Sequence, residues 1–325
     1  MLSRASAIAV LPAGRRILKK LINEGAFCVD WSVPTLEVLR RVKPSNYFGC
    51  DTSLAHIFLW RKATNILIAE QDGILFRYYR GVKPNGRGYG FPLGCGAAEG
   101  AAFFPMLKRD AKQRGVPLEF CMIDECQKKA MESRCSIFWQ SNSGDSDYIY
   151  NQENLATLAG RKLHGKKNHV NRFLRLYPDA EYRRISDQNA PDVILLAEQW
   201  LAEHREHEEE DPMGDAEISA IREAVNCQRE LGIMGGVLYV ENVPVAFTLA
   251  SKLSAQCVDV HFEKAVGDFA RDGAYAVINR CFASSEEAGG YKYINREEDM
   301  GMPGLRQAKE SYHPAFKVKK YYGKL

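Results

Sequence analysis

Apolar positions along this chain follow two rhythms, one alternating and one recurring every three to four residues, and the same succession of rhythms occurs twice. In the first half, residues 65–69 and 74–79 are strand-like runs on either side of Gln71-Asp72-Gly73, which predicts a hairpin. A strand over 88–92 follows. A helix is predicted over 104–114, with Phe104, Leu107 and Ala111 on one face and Gly115 as its stop. A strand over 118–123 closes the unit. In the second half, 236–240 and 245–251 flank Glu241-Asn242, again a hairpin. A strand over 257–263 follows, then a helix over 274–288 with Ala274, Val277, Ile278, Cys281 and Phe282 inward, then a strand over 291–296. Helices precede each hairpin. In the second half Val193, Leu196, Ala197, Trp200 and Leu201 form one apolar stripe, and Ile218, Ile221, Val225 and Leu231 form another, stopped by Gly232. The repeated order predicts an α+β chain of two mixed sheets flanked by helices. The expected partition is a loose extension over 1–33, a first domain over 34–150, a basic linking helix over 151–178 and a second domain over 179–325.

Composition narrows the setting. A chain of 325 residues accommodates two domains of ordinary size, and 46% hydrophobic with 26% charged residues is a globular composition. A net charge of +3 is too mild to imply nucleic-acid binding by itself. The charge is uneven, however. Residues 161–175 carry six Lys or Arg and no acid, and residues 198–211 carry seven acids and one Arg. Nine cysteines without paired spacing argue for reduced thiols in a cytoplasmic protein rather than a disulfide framework or a zinc knuckle. No apolar run approaches the ~20 residues that span a bilayer.

Two stretches concentrate chemistry. The run from Tyr291 to Pro314 brings Asn295, Glu297, Glu298, Asp299, Arg306, Lys309 and Tyr312 into a strand-loop-helix pattern. Pro303 suits the first turn of its helix, and Arg306 and Lys309 share one helix face. A salt-bridged surface corner accounts for the same residue types. The strand 257–263 alternates, so that Val258, Val260 and Phe262 face one side and Asp259, His261 and Glu263 the other. Elsewhere, Lys166, Lys167 and Arg172 in the basic run are candidates to grip RNA phosphates, or form a solvated helix face. His204 and His207 beside Glu208 have metal-ligand spacing, but the surrounding acids favour a solvated helix end.

The run from Asn295 to Pro314, Asn-Arg-Glu-Glu-Asp-Met-Gly-Met-Pro-Gly-Leu-Arg-Gln-Ala-Lys-Glu-Ser-Tyr-His-Pro, resembles the C-terminal block of the phosphatidylglycerol lysyltransferase C-terminal-domain-like family. The stretches 147–173, 91–94 (Phe-Pro-Leu-Gly) and 260–265 (Val-His-Phe-Glu-Lys-Ala) are similar to it as well, in the family's order. Residues 1–33 match nothing in it. The resemblance implies tandem GNAT-like acyltransferase domains, and kinship with enzymes that move an aminoacyl group from tRNA. It also implies that the end of strand 257–263 and the strand from Tyr291 border the reaction cleft. On that footing Glu263 or Asp299 is the expected base, with Arg306 and Lys309 as electrostatic stabilisers and His261, Asn295, Glu298 and Tyr312 as substrate contacts.

The expected activity is transfer of an acyl or aminoacyl group to an amine or hydroxyl acceptor, with the second half carrying the site and no metal or cofactor. Aminoacyl-tRNA and acyl-CoA both stand as donors. Typical acyl-CoA enzymes cradle pyrophosphate in a cationic glycine-rich loop. The stretches 270–276 and 94–100 match that pattern poorly. The alternatives are an acyl-CoA-dependent N-acyltransferase and a non-catalytic binding module of the same fold.

Overall fold

The computed structural model describes residues 30–81, 86–205 and 214–325. Among the described residues, thirteen strands form two sheets. The strands of the first half are β1 (Ile66–Gln71), β2 (Ile74–Arg80), β3 (Arg87–Leu93), β4 (Glu119–Ile123), β5 (Phe138–Ser141) and β6 (Asp147–Asn151). Those of the second are β7 (Glu181–Arg184), β8 (Met234–Val240), β9 (Val243–Lys252), β10 (Cys257–Ala265), β11 (Tyr293–Asn295), β12 (Phe316–Val318) and β13 (Tyr321–Lys324).

Each sheet starts from the hairpin its sequence specifies. Asp72 and Gly73 have φ of 53° and 83°, and Glu241 and Asn242 have 49° and 63°. These are two-residue turns with both central residues left-handed, the geometry whose twist matches the flanking strands. Next to each hairpin lies a third, antiparallel strand, β3 or β10, and beyond it a parallel one, β4 or β11. The helix between the third and fourth strands is Phe104–Arg114 in one half and Ala274–Ala283 in the other. The first ends where Gly115 enters the left-handed region.

The next strand in each sheet comes from elsewhere. The sheet orders are β1-β2-β3-β4-β13-β5 and β12-β6-β11-β10-β9-β8-β7. Thus β6 follows β5 in sequence but pairs with β11 and β12, while β13 follows β12 but pairs with β4 and β5. The two halves exchange a strand reciprocally. This corrects the expected partition at 150 and 179: β6 builds the second sheet, and 321–324 build the first. The extension expected over 1–33 is corrected at its end as well. Ser32 exchanges backbone hydrogen bonds with Ile68, and Trp31 Nε1 donates to Asp110 at 3.0 Å. Residues 1–29, and His207 with Glu208, lie outside the described residues. The linking helix expected over 151–178 is broken, because Leu158 and Gly160 take φ of 48° and 86°; the basic run spans the short turn Arg161–Leu163 and the helix His164–Leu176.

Two cores result. Phe247, Leu249 and Phe262 on one face of the second sheet join Leu196 and Ile221 of the flanking helices and Ile57, Ile68 and Phe76 of the first half. On the opposite face Ala246, Ala250, Val258 and Val260 pack with Val277, Ile278 and Phe282 and with Phe173. Phe262 is therefore not on the side of Val258 and Val260, as strict alternation predicts. A β-bulge is the cause: Val260 pairs with Ala250, Phe262 with Leu249, and His261 is the extra residue. Beyond the bulge every side chain changes face. Among the described residues, no helix is long and apolar enough to cross a membrane.

The exchanged strand makes a test available. Deleting 321–325 leaves β4 and β5 without their shared neighbour and exposes two rows of unpaired backbone groups. Loss of the cooperative thermal transition, followed by circular dichroism, is the expected result. A truncated chain that melts like the intact one contradicts the exchange.

Candidate functional site

The loop joining β11 to the helix Pro303–Glu310 is held almost entirely by the residues that looked catalytic. Asp299 is buried and accepts from Tyr148 Oη at 2.6 Å, Gly301 N at 2.8 Å, and Arg306 Nε and Nη2 at 2.9 Å each. These donors, Arg306 first, hold its carboxyl well below the usual carboxylate range. Lys309 donates to the carbonyls of Arg296, at 2.6 Å, and Glu298. Asn295 donates to Phe48 O at 2.8 Å and Asp147 Oδ2 at 3.0 Å, and accepts from Glu297 N at 2.6 Å. The oxygens of Asp299, an expected base, are thus engaged by four donors. Arg306 and Lys309, the expected electrostatic stabilisers, brace the loop through these bonds.

Two polar clusters lie on opposite faces of β10. The bulge at His261 separates Glu263 from Asp259 and His261, which the alternation had placed together. Glu263 faces the helix Ala274–Ala283. Its Oε1 accepts from Arg296 Nη2 at 2.6 Å and its Oε2 from Asn279 Nδ2 at 3.0 Å. Thr248 sits directly opposite on β9. Three polar atoms here are buried without a hydrogen-bond partner: Thr248 Oγ1, Asn279 Oδ1 and Arg296 Nη1. The Arg296 guanidinium lies 5.7 Å from the Tyr150 ring and 4.8 Å from that of Tyr312. The Lys166 ammonium stands 4.3 Å over Tyr312. Burial, then Arg296, pushes the Lys166 pKa down. The structure thus brings Glu263, Tyr312 and Lys166 together. Lys167 and Arg172 are exposed on the same helix, where Arg172 pairs with Asp272 at 2.6 Å. A shallow depression lined by Asn168, His169, Arg172 and Arg175 runs along it.

The other face of β10 looks toward the first half. His261 Nδ1 lies 3.3 Å from Glu297 Oε1 and 3.5 Å from Asp259 Oδ2, and His56 Nδ1 lies 3.1 Å from the same Glu297 oxygen. Burial, then Glu297, pushes the Asp259 carboxyl well above its ordinary range. Beside this cluster, Lys320 reaches Asp147 Oδ1 at 2.7 Å, Cys50 Sγ at 3.1 Å and Glu298 Oε2 at 3.2 Å. Burial opposes the Lys320 charge, but Asp147, Cys50 and Glu298 outweigh it and hold the ammonium pKa well above its usual value. His261, Asn295 and Glu298, expected as substrate contacts, belong to this interior between the halves. Sequence reasoning passed over Arg296, Asn279 and His56. Arg296 stands inside the run resembling the family, and Asn279 is a polar residue next to an inward apolar stripe. No sequence signal marks His56.

Comparison with known proteins bears on family and fold. Residues 43–323 match the family described as phosphatidylglycerol lysyltransferase, C-terminal. A crystal structure of a conserved protein of unknown function from Bacteroides thetaiotaomicron superposes with a TM-score of 0.82 at 31% identity, covering 92% of this chain and 100% of that one. L-PGS from Bacillus licheniformis superposes with a TM-score of 0.61 at 15% identity, covering 89% and 90%, a likeness of fold. An uncharacterized protein of Mycoplasmoides gallisepticum is 24% identical over 190 residues, which is 57% of this chain and 58% of the relative's length. These superpositions show a shared fold, two mixed sheets flanked by helices.

Proposed function

Because the chain belongs to the phosphatidylglycerol lysyltransferase C-terminal family, we propose that it transfers an acyl or aminoacyl group to an amine or hydroxyl acceptor, with the cluster around Glu263 as the reaction site. The three unpartnered atoms around the Glu263–Arg296 pair carry this reading. Buried polar groups are nearly always paired, so three in one cluster mark the outline of a ligand. The cluster offers a hydroxyl, an amide carbonyl and a guanidinium N–H, the last within 5.7 Å of the Tyr150 ring and 4.8 Å of that of Tyr312.

These groups suit acyl transfer. Glu263 takes the proton of the attacking amine or hydroxyl, whose lone pair forms the new bond to the acyl carbon. Arg296 Nη1 donates to the carbonyl oxygen as negative charge gathers there. The bond from the acyl carbon to the donor then breaks, and the proton held by Glu263 goes to the leaving oxygen or sulfur. Asn279 Oδ1 accepts from an ammonium on the acyl group, a role with use only for an aminoacyl donor.

An aminoacyl-tRNA donor is favoured over acyl-CoA by the surroundings. The basic helix His164–Leu176 borders the cluster through Lys166. Near the 270–276 loop, the Asp272 carboxylate meets Arg172 and Tyr177, an acidic neighbour for any pyrophosphate. Binding of lysyl-tRNA is expected to weaken as salt rises. Replacing Lys167 and Arg172 by Gln should reduce the slope of log affinity against log salt by about 0.7–0.9 for each phosphate left without its cation. Salt-independent binding removes tRNA from the reading. Turnover with acetyl-CoA in its place supports the acyl-CoA enzyme, and ligand-induced thermal shifts without turnover support the binding module.

A further inference from the structure

We propose that His56, Asp259, His261 and Glu297 bind one divalent transition-metal ion of the zinc class, tying the two halves of the molecule together. One ligand atom from each lies within 4.8 Å of all the others. The approaches of 3.1, 3.3 and 3.5 Å surround the edge of about 3.3 Å that a tetrahedron of bonds near 2.0–2.1 Å requires. Two imidazoles with two carboxylates are a donor set for zinc and its first-row neighbours rather than for calcium or magnesium.

Asp259 is the observation that points to an ion. It is fully buried, it faces this cluster, and neither of its oxygens has a hydrogen-bond partner. A carboxylate so placed needs a cation or a donor. The second cluster shows how this interior otherwise meets that need, since the ammonium of Lys320 sits among Cys50, Asp147 and Glu298. Among the described residues, no Lys or Arg hydrogen-bonds to Asp259. The orientation of His261 also suits a ligand. Coordination through Nδ1 leaves the proton on Nε2, and Ser251 Oγ stands 2.8 Å from Nε2 to accept it. An outer partner of this kind fixes the ring of a metal-bound histidine.

All four coordination positions come from the protein, which is the pattern of a structural site. His56 belongs to the helix Leu54–Leu59 of the first half; the other three residues belong to β10 and the loop after β11. The proposal is independent of the transfer reaction, because Glu263 lies on the opposite face of β10.

The test uses the full chain, first analysed for metal as purified, then stripped with a chelator and titrated with Co²⁺. The expected results are one equivalent bound, the visible absorption of four-coordinate Co²⁺, and a rise in melting temperature. That rise is about 5 °C when free metal exceeds its dissociation constant about 100-fold. His261→Gln and Asp259→Ala should each remove the stoichiometric absorption. Metal-free protein that gains neither absorption nor stability overturns the proposal, whether or not the variants fold. A cobalt–thiolate charge-transfer band overturns it too, since it would place the ion on a cysteine, and none of the four proposed ligands is one.

Discussion

Replacing Glu263 by Gln is expected to slow transfer by about two to four orders of magnitude while leaving the protein folded. The substitution removes proton acceptance and little else. A Gln oxygen still accepts from Arg296. The Gln amide then needs an acceptor, and Asn279, whose Oδ1 has no partner, supplies one by rotating its own amide. Saturation kinetics separate the two roles open to the carboxylate. A fall in kcat with KM nearly constant identifies a base acting on the acceptor's proton. A large rise in KM with kcat preserved identifies a group that holds the donor's ammonium. If neither constant moves, the reaction does not take place at this cluster.

The second large effect is on stability. Lys320→Met should cost about 3–5 kcal/mol, the usual penalty for removing one partner of a buried ion pair. The ammonium is nearly inaccessible, and it meets Asp147, Cys50 and Glu298 together. A methionine fills similar space but leaves a fully buried carboxylate uncompensated. Pairing the change with Asp147→Leu should restore only part of the loss. Asp147 also accepts from Cys50 N at 2.6 Å and Asn295 Nδ2 at 3.0 Å, so its removal strands two more donors. Denaturant titration with an unchanged m-value measures both effects. A single-variant loss below about 1 kcal/mol would show that the pair contributes little, as surface pairs do.

The hairpins were legible because their determinants are local. Asp72, Gly73 and Asn242 are residues that tolerate positive φ, and the flanking runs alternate. The helix Phe104–Arg114 was legible for the same reason, with proline at its start and glycine at its stop. The bulge was not. One extra residue at His261 leaves no mark on a period-two pattern, yet it moved Phe262 and Glu263 to faces other than those alternation assigns. The exchanged strands were equally hidden, since a short alternating run does not announce which sheet it enters. The charged run after Asn295 misled for another reason. Residue type shows that Asp299, Arg306 and Lys309 need partners, but not that those partners are the loop's own atoms. His56 joins Asp259 and Glu297 only through the packing of the halves.

The exchange of strands also governs how the molecule is made. As the chain leaves the ribosome, β1 to β5 emerge early, but the slot between β4 and β5 stays empty. Its occupant carries Tyr322, which bonds to Asp145, a residue synthesised 177 positions earlier. By then the whole second half has emerged, and closing so long a loop precedes any gain from it. Until that moment two open strand edges face solvent, the hazard that chaperones exist to cover. The nascent first sheet is therefore expected to be aggregation-prone until β13 fills its slot.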